Sequence, residues 1–362
     1  MQAAPLSTGP QKTAVLAESE DMQRERQYVR ENSKFLRGQG FSAKAAAAQG
    51  RQLTVNADDY PAHLSLLGCH WNSALLNKPL SSALAMPGYR QQVFWLIRNH
   101  PESLLFSRQP LGVPRRYAAT AFGADKMLWQ TQLIKQPDSA LLLGNAAEYY
   151  LLSEKALAAQ YLLRAQALEP NNPEWPDKLG ELHRLQGPDP SPAAVRQSAI
   201  KALAEYEAAA SLANKTSQPN TSADLAKTAF DAGEYDKARR YAEALLQRGQ
   251  SQQPNGHDSN DDVHAANLVL GLLALRDGDT TAAEAHLLAM GRVSGSPVLD
   301  SFGPNMRLAK ELLAQKDSRP VLAYFDECAK FWTYQPGRVS LAAWTADVKQ
   351  GKMPNFGSNL AY

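Results

Sequence analysis

Residues 139–173 read SALLLGNAAEYYLLSEKALAAQYLLRAQALEPNNP. Alanine and leucine dominate, β-branched residues are absent, and Pro170 stops the run. Proline cannot continue a helix and turns its predecessor away from helical backbone. The same punctuation occurs at Pro101 and Pro137, so the intervals are 36 and 33 residues. Each proline sits in a similar phrase: Asn99-His100-Pro101-Glu102, Gln136-Pro137-Asp138, Glu169-Pro170-Asn171-Asn172. A period in that range is the mark of stacked helical hairpins. Upstream, Val15/Leu16, Met22, Tyr28/Val29 and Phe35/Leu36 recur about every seven residues, which makes one stripe of a helix. Gly38 and Gly40 are expected to end that helix, and Ser42 to open an alanine-rich one from Ala43 to Gln52. No sustained apolar–polar alternation marks a strand. The chain reads as all-α.

Within the quoted stretch, Ala146 and Tyr149 lie upstream of Ala158, Leu162 and Ala165. The next stretch opens Pro173-Glu174-Trp175, carries Leu179-Gly180 and His183, and repeats the spacing at Ala202, Tyr206 and Ala209. Leu67-Gly68-Cys69-His70-Trp71 follows Pro61. Ala226, Gly233, Glu234-Tyr235 and Ala238 are echoed by Gly271, Gly278-Asp279 and Ala283. These residues resemble tetratricopeptide (TPR) repeats, whose unit of about 34 residues is a pair of antiparallel helices. The resemblance implies a right-handed α-solenoid of about seven to eight TPR-like hairpins. Insertions are expected near 186–192 and 248–262. The last hairpin is expected at Pro304–Gln315 and Arg319–Trp332.

The implied organisation is a disordered head at 1–12, degenerate hairpins at 13–101, TPR-like repeats at 102–293, and a C-terminal hairpin with an aromatic-rich cap at 294–362. That last part contains Phe302, Tyr324, Phe325, Phe331, Trp332, Tyr334, Trp344, Phe356 and Tyr362. It resembles the tails of bacterial TPR proteins without assigned function. An end repeat must cover an apolar face, which is the expected role of those rings.

Composition narrows the function classes. Lys+Arg 38 against Asp+Glu 36 leaves a formal charge of +2, too balanced to favour nucleic acid. No apolar run is long enough to insert directly into a membrane. The opening Met1–Pro10 resembles the start of a mature exported protein, so cytoplasmic and exported locations both stay open. Cys69 and Cys328, 259 positions apart, match no metal spacing. The nucleophile elbow, the His-Glu-x-x-His helix, the P-loop and the Gly-x-Gly-x-x-Gly turn are all absent. Read as a calcium loop, His257–His264 fails at Val263 and Val269. It is expected to be a solvated loop in which Asp262 caps a helix starting near Val263. No catalytic residue, metal site or cofactor is therefore expected.

The resemblance implies a groove instead. In TPR proteins the first helix of each hairpin lines the concave face. Transferred by position, the groove candidates are Asn72, Tyr150, Arg184, Lys227, Phe230 and Leu272. The Lys/Arg/Asn clamp that some TPR domains use on a peptide carboxylate is missing, since Leu143, Ala147, Leu268 and Leu272 stand at its places. The expected partner is a protein or peptide of unknown identity, held by a non-enzymatic scaffold. The alternative is a structural subunit docked permanently in a larger bacterial assembly through its aromatic C-terminal segment.

Overall fold

The computed structural model describes residues 20–75, 82–109, 111–112, 122–185, 191–214, 222–251 and 257–360. The expected head at 1–12 and most of the insertion at 186–192 lie outside them. Every described secondary-structure element is helical; there is no strand among the described residues. Two compact units divide the chain, Met1–Leu168 and Glu169–Tyr362. The expected boundary at 101/102 falls just after a helix of the first unit. The one at 293/294 falls in a link within the second.

The first unit holds α1 (Glu20–Gln39), α2 (Ala43–Val55), α3 (Tyr60–Leu75), α4 (Ser82–Asn99), α5 (Leu105–Arg108), α6 (Phe122–Lys135), α7 (Ala140–Tyr150) and α8 (Lys155–Leu168). Short polar side chains start the helices as their chemistry demands. Ser42 Oγ accepts from the Ala45 N–H at 3.2 Å and Ser139 Oγ from the Leu142 N–H at 3.3 Å. Gly38 does not end α1, which runs on to Gln39. It serves instead where α1 crosses α3: a Cβ on Gly38 would lie 1.8 Å from the Ser65 carbonyl oxygen, and one on Gly68 1.9 Å from that of Phe35. The small–large–small spacing read in α8 is realised, with Ala158, Leu162 and Ala165 all buried where α8 meets α7.

The second unit holds α9 (Glu174–Arg184), α10 (Pro192–Asn214), α11 (Ala223–Ala232), α12 (Tyr235–Ser251), α13 (His257–Arg276), α14 (Thr280–Gly291), α15 (Pro297–Phe302), α16 (Arg307–Ala314), α17 (Arg319–Cys328) and α18 (Gln335–Lys349). A 3-10 turn at Gly357–Leu360 follows. Neighbours in sequence pack from α9 to α14, and helices two or three apart also meet: α11 with α13, α13 with α16, α14 with α17. Glu207 of α10 accepts from Lys237 and Tyr241 of α12 at 3.0 and 2.7 Å.

Two turns repeat the same geometry. At the end of α11, Gly233 takes φ +82°, its N–H reaches Phe230 O, and Glu234 N–H reaches Ala229 O. At the end of α13, Gly278 takes φ +85° with matching bonds to Leu275 O and Ala274 O. That is a Schellman cap, which needs left-handed backbone and hence glycine. The echo of Gly233 in Gly278 is a repeat of turn chemistry.

The reading of His257–His264 as a loop is overturned: these residues are the first two turns of α13. Asp262 does not cap it, being 8% exposed inside the helix, where Arg248 of α12 grips both its oxygens at 2.6 and 2.7 Å. Ser259 Oγ donates to Gly249 O at 2.7 Å. These tertiary bonds hold a polar stretch helical against its local preference. Only 252–256 of the expected insertion lie outside the described residues; Arg248–Ser251 extend α12.

Aromatic rings form the core of the C-terminal part. Tyr324, Phe325, Phe331, Trp332, Trp344 and Phe356 are buried, whereas Phe302 and Tyr334 are exposed; Tyr362 lies outside the described residues. Trp344 meets Trp332 at a tilt and Phe356 edge-on, with centroids at 5.8 and 5.1 Å, and donates to Asn355 O at 3.0 Å. The segment after α18 returns to α16. Asn359 Nδ2 donates to Phe302 O and Pro304 O at 3.1 and 3.0 Å, and Asn359 O accepts from the Met306 N–H at 2.8 Å.

Candidate functional site

The six groove candidates do not share one environment. In the first unit, Asn72 spends its amide on Gln39 O at 2.8 Å, tying α3 to the end of α1. Tyr150 is fully buried, its ring between Tyr149 at 5.0 Å and Tyr161 at 6.4 Å, so it is a packing residue and not a surface one. In the second unit, Leu272 is also buried, in a core with Ala283, Leu287 and Leu308.

Arg184, Lys227 and Phe230, by contrast, belong to one line of side chains. Arg184 ends α9 and reaches Asp224 in the first turn of α11, while Lys227 Nζ lies 3.2 Å from the same carboxylate. One turn on, Asp231 pairs with Arg307 Nη1 of α16 at 2.7 Å. The Arg307 guanidinium lies 5.3 Å from the centroid of Phe230, a cation–π distance. Burial alone would raise the Asp224 carboxyl, but Lys227 and Arg184 outweigh it and hold it below the ordinary carboxylate value. Burial pulls the Lys227 ammonium below its usual pKa against the opposing pull of Asp224. On α9, burial and then the nearby Asp224 push Asp177 up. The line is thus polar, half-buried and close to charge-balanced.

A cavity of about 200 Å³ opens beside it, lined in part by Lys227, Asp261, His264, Leu268, Leu299 and Asn305. α11 and α13 bring the charged groups; α15 and the link to α16 bring the far wall. Ser296 caps α15 through the Leu299 N–H at 3.0 Å, and its hydroxyl donates to Asp261 Oδ1 at 2.5 Å. His264 is buried, and the Asn305 N–H donates to its Nε2 at 3.1 Å, so its proton sits on Nδ1, facing Met290 O at 3.0 Å. Burial pushes its pKa down to about 4, which keeps the ring neutral at ordinary pH.

The first unit has a wider cavity of about 470 Å³ between α1 and α3, bordered by Arg30, Glu31, Lys34, Tyr60 and Leu64. Its buried carboxylate is already engaged, since Glu31 accepts from Gln27 Nε2, Ser103 Oγ and the Leu104 N–H at 2.9, 2.8 and 3.0 Å. Nearby, His63 stacks on Trp95 at 3.4 Å and Tyr60 on His100 at 4.1 Å. These contacts brace α3 against α4 and the turn after it.

Sequence reasoning placed Arg184, Lys227 and Phe230 on first helices but missed Asp224, Asp231, Arg307, His264 and Asn305. Their partners on other helices lie tens of residues away. Among the described residues, no three His, Cys, Asp or Glu side chains gather as a metal site, and no helix is long and apolar enough to cross a membrane. No family model matches the chain, and no curated protein matches it.

Proposed function

We propose that the chain is a non-enzymatic scaffold that holds a protein or peptide on the concave face of a right-handed TPR-type solenoid. One observation carries the reading: α11 packs on α13 and α13 on α16, while Arg184 of α9, Lys227 and Phe230 of α11 and Arg307 of α16 are linked in one line through Asp224 and Asp231. A row of half-buried charges beside an aromatic ring gives an extended peptide both polar anchors and an apolar seat. The count of about seven to eight hairpins, TPR kinship and the cap role of the aromatic segment belong to the same proposal. Burial of six aromatic rings favours the cap over permanent docking in a larger assembly, because those rings are already covered by their own chain.

Site-specific photo-crosslinking tests it. A photoreactive residue at Phe230 or Arg184 is expected to capture a defined partner in extracts of the source cell. The same residue at exposed Arg240 on α12 is expected not to. Equal capture at both places, or none at Phe230 and Arg184, refutes the groove.

A further inference from the structure

The small cavity beside Lys227 has a chemistry that a peptide groove does not require. Its wall carries one cation, Lys227, and one anion, Asp261. His264 adds no charge, because its two nitrogens are committed to Asn305 and Met290. The rest of the lining includes aliphatic Ala265, Leu268, Val298 and Leu299. At about 200 Å³ it falls below the roughly 300–1,000 Å³ of sites that enclose drug-sized ligands. A simple anion would meet Asp261 and a simple cation would meet Lys227, each at a cost. The complement of this wall carries both charges on a short apolar body.

We propose that the cavity binds a free α-amino acid with a branched aliphatic side chain. Its carboxylate sits on Lys227 Nζ, its ammonium on Asp261, and its side chain among Leu268, Val298 and Leu299. Both charged groups are positioned before a ligand arrives. Asp224 holds Lys227 at 3.2 Å, and the Ser296 hydroxyl holds Asp261 at 2.5 Å. Such pre-organisation lowers the ordering cost of binding. Burial disfavours the Lys227 ammonium and Asp224 opposes that pull, so an incoming carboxylate adds to Asp224 in holding the lysine charged. Val298, 47% exposed, stands at the mouth and leaves a way in. The cavity shares Lys227 with the proposed groove, but the two readings are tested apart: crosslinking can fail while this binding holds, and the reverse.

Calorimetry on the full chain at neutral pH decides it. L-leucine, L-isoleucine or L-valine is expected to bind one to one. 4-Methylpentanoate, which lacks the ammonium, leucinamide, which lacks the carboxylate, and glycine, which lacks the side chain, are each expected to bind at least tenfold more weakly. Lys227→Met is expected to weaken leucine at least tenfold. Ala223→Leu, which fills the cavity from the first residue of α11, is expected to abolish binding with an unchanged circular-dichroism spectrum. The proposal is overturned by no saturable binding of the three amino acids up to about 10 mM, by equal affinity for leucine and 4-methylpentanoate, or by a folded Ala223→Leu protein that binds like the parent. The probe series on the unaltered chain discriminates these outcomes even if a variant fails to fold.

Discussion

Replacing Gly68 by alanine puts a methyl group where α3 touches α1. The new Cβ would lie 1.9 Å from Phe35 O and 2.8 Å from its carbonyl carbon, whereas real Cβ contacts start near 3.0 Å. The obstacle is helix backbone and not a side chain that can swing aside. The two helices must therefore part by roughly 1 Å, and a gap of that size forfeits about a quarter to a half of each dispersion contact along the seam. Overpacking of this kind costs about 1–3 kcal/mol, and occasionally more. Alanine returns about 1 kcal/mol of helix propensity. A net loss of about 1 kcal/mol is expected, read as a lower urea midpoint by far-ultraviolet circular dichroism and by fluorescence of Trp71, whose ring meets Phe35 edge-on at 5.7 Å. Gly38→Ala strikes the same crossing from the other helix, at 1.8 Å from Ser65 O. The double variant should lose less than the sum of the singles, because helices already parted accommodate the second methyl. A midpoint unchanged or raised in Gly68→Ala would refute the close crossing of α1 and α3.

Other expectations concern the second unit. Gly278→Ala meets no neighbouring atom but must hold φ +85°, so a loss of about 1 kcal/mol in stability is expected from the denaturation midpoint, with Gly278→Asn milder. Arg248→Ala strands the nearly buried Asp262 and should cost about 2 kcal/mol, whereas removing both partners should cost less than Arg248→Ala alone; equal losses would count against the pair. His264 has a folded-state pKa of about 4, below the unfolded value of about 6.5. Its contribution is present above pH 6.5 and is lost as pH falls toward 4, by an amount on the order of 3 kcal/mol. Urea midpoints across that window should fall more steeply for the parent chain than for His264→Gln; parallel profiles would contradict a buried neutral ring.

Helix content and turn chemistry were legible because each rests on a local demand. Pro170 stops a helix wherever it stands, Ser42 and Ser139 cap the helices that begin after them, and Gly233 and Gly278 are the residues a left-handed cap requires. Small residues at Ala158 and Ala165 betray a helix contact because only small side chains let two helices approach. The line from Arg184 to Arg307 was only half visible. Arg184, Lys227 and Phe230 were reached through the resemblance, but Asp224 and Arg307 are set by Arg184 and Asp231 on other helices. His257–Asp262 misled for the opposite reason. Local propensity favours a loop, and Arg248 and Gly249, supplied by the preceding helix, reverse that preference.

The bonds from Asn359 to Phe302 O and Pro304 O span 57 and 55 residues. During synthesis the carbonyls just before α16 emerge long before their donor does, and Met306 N–H waits equally long for the oxygen of Asn359. Helices α9 to α14 close against near neighbours and can consolidate as they leave the ribosome, in the order they are made. The aromatic core around Tyr324 and Trp344 cannot: its last ring, Phe356, and its last hydrogen bonds arrive together. Assembly of this unit is therefore vectorial for most of its length and ends in a single late closure, the interval in which its tryptophans are most open to a chaperone.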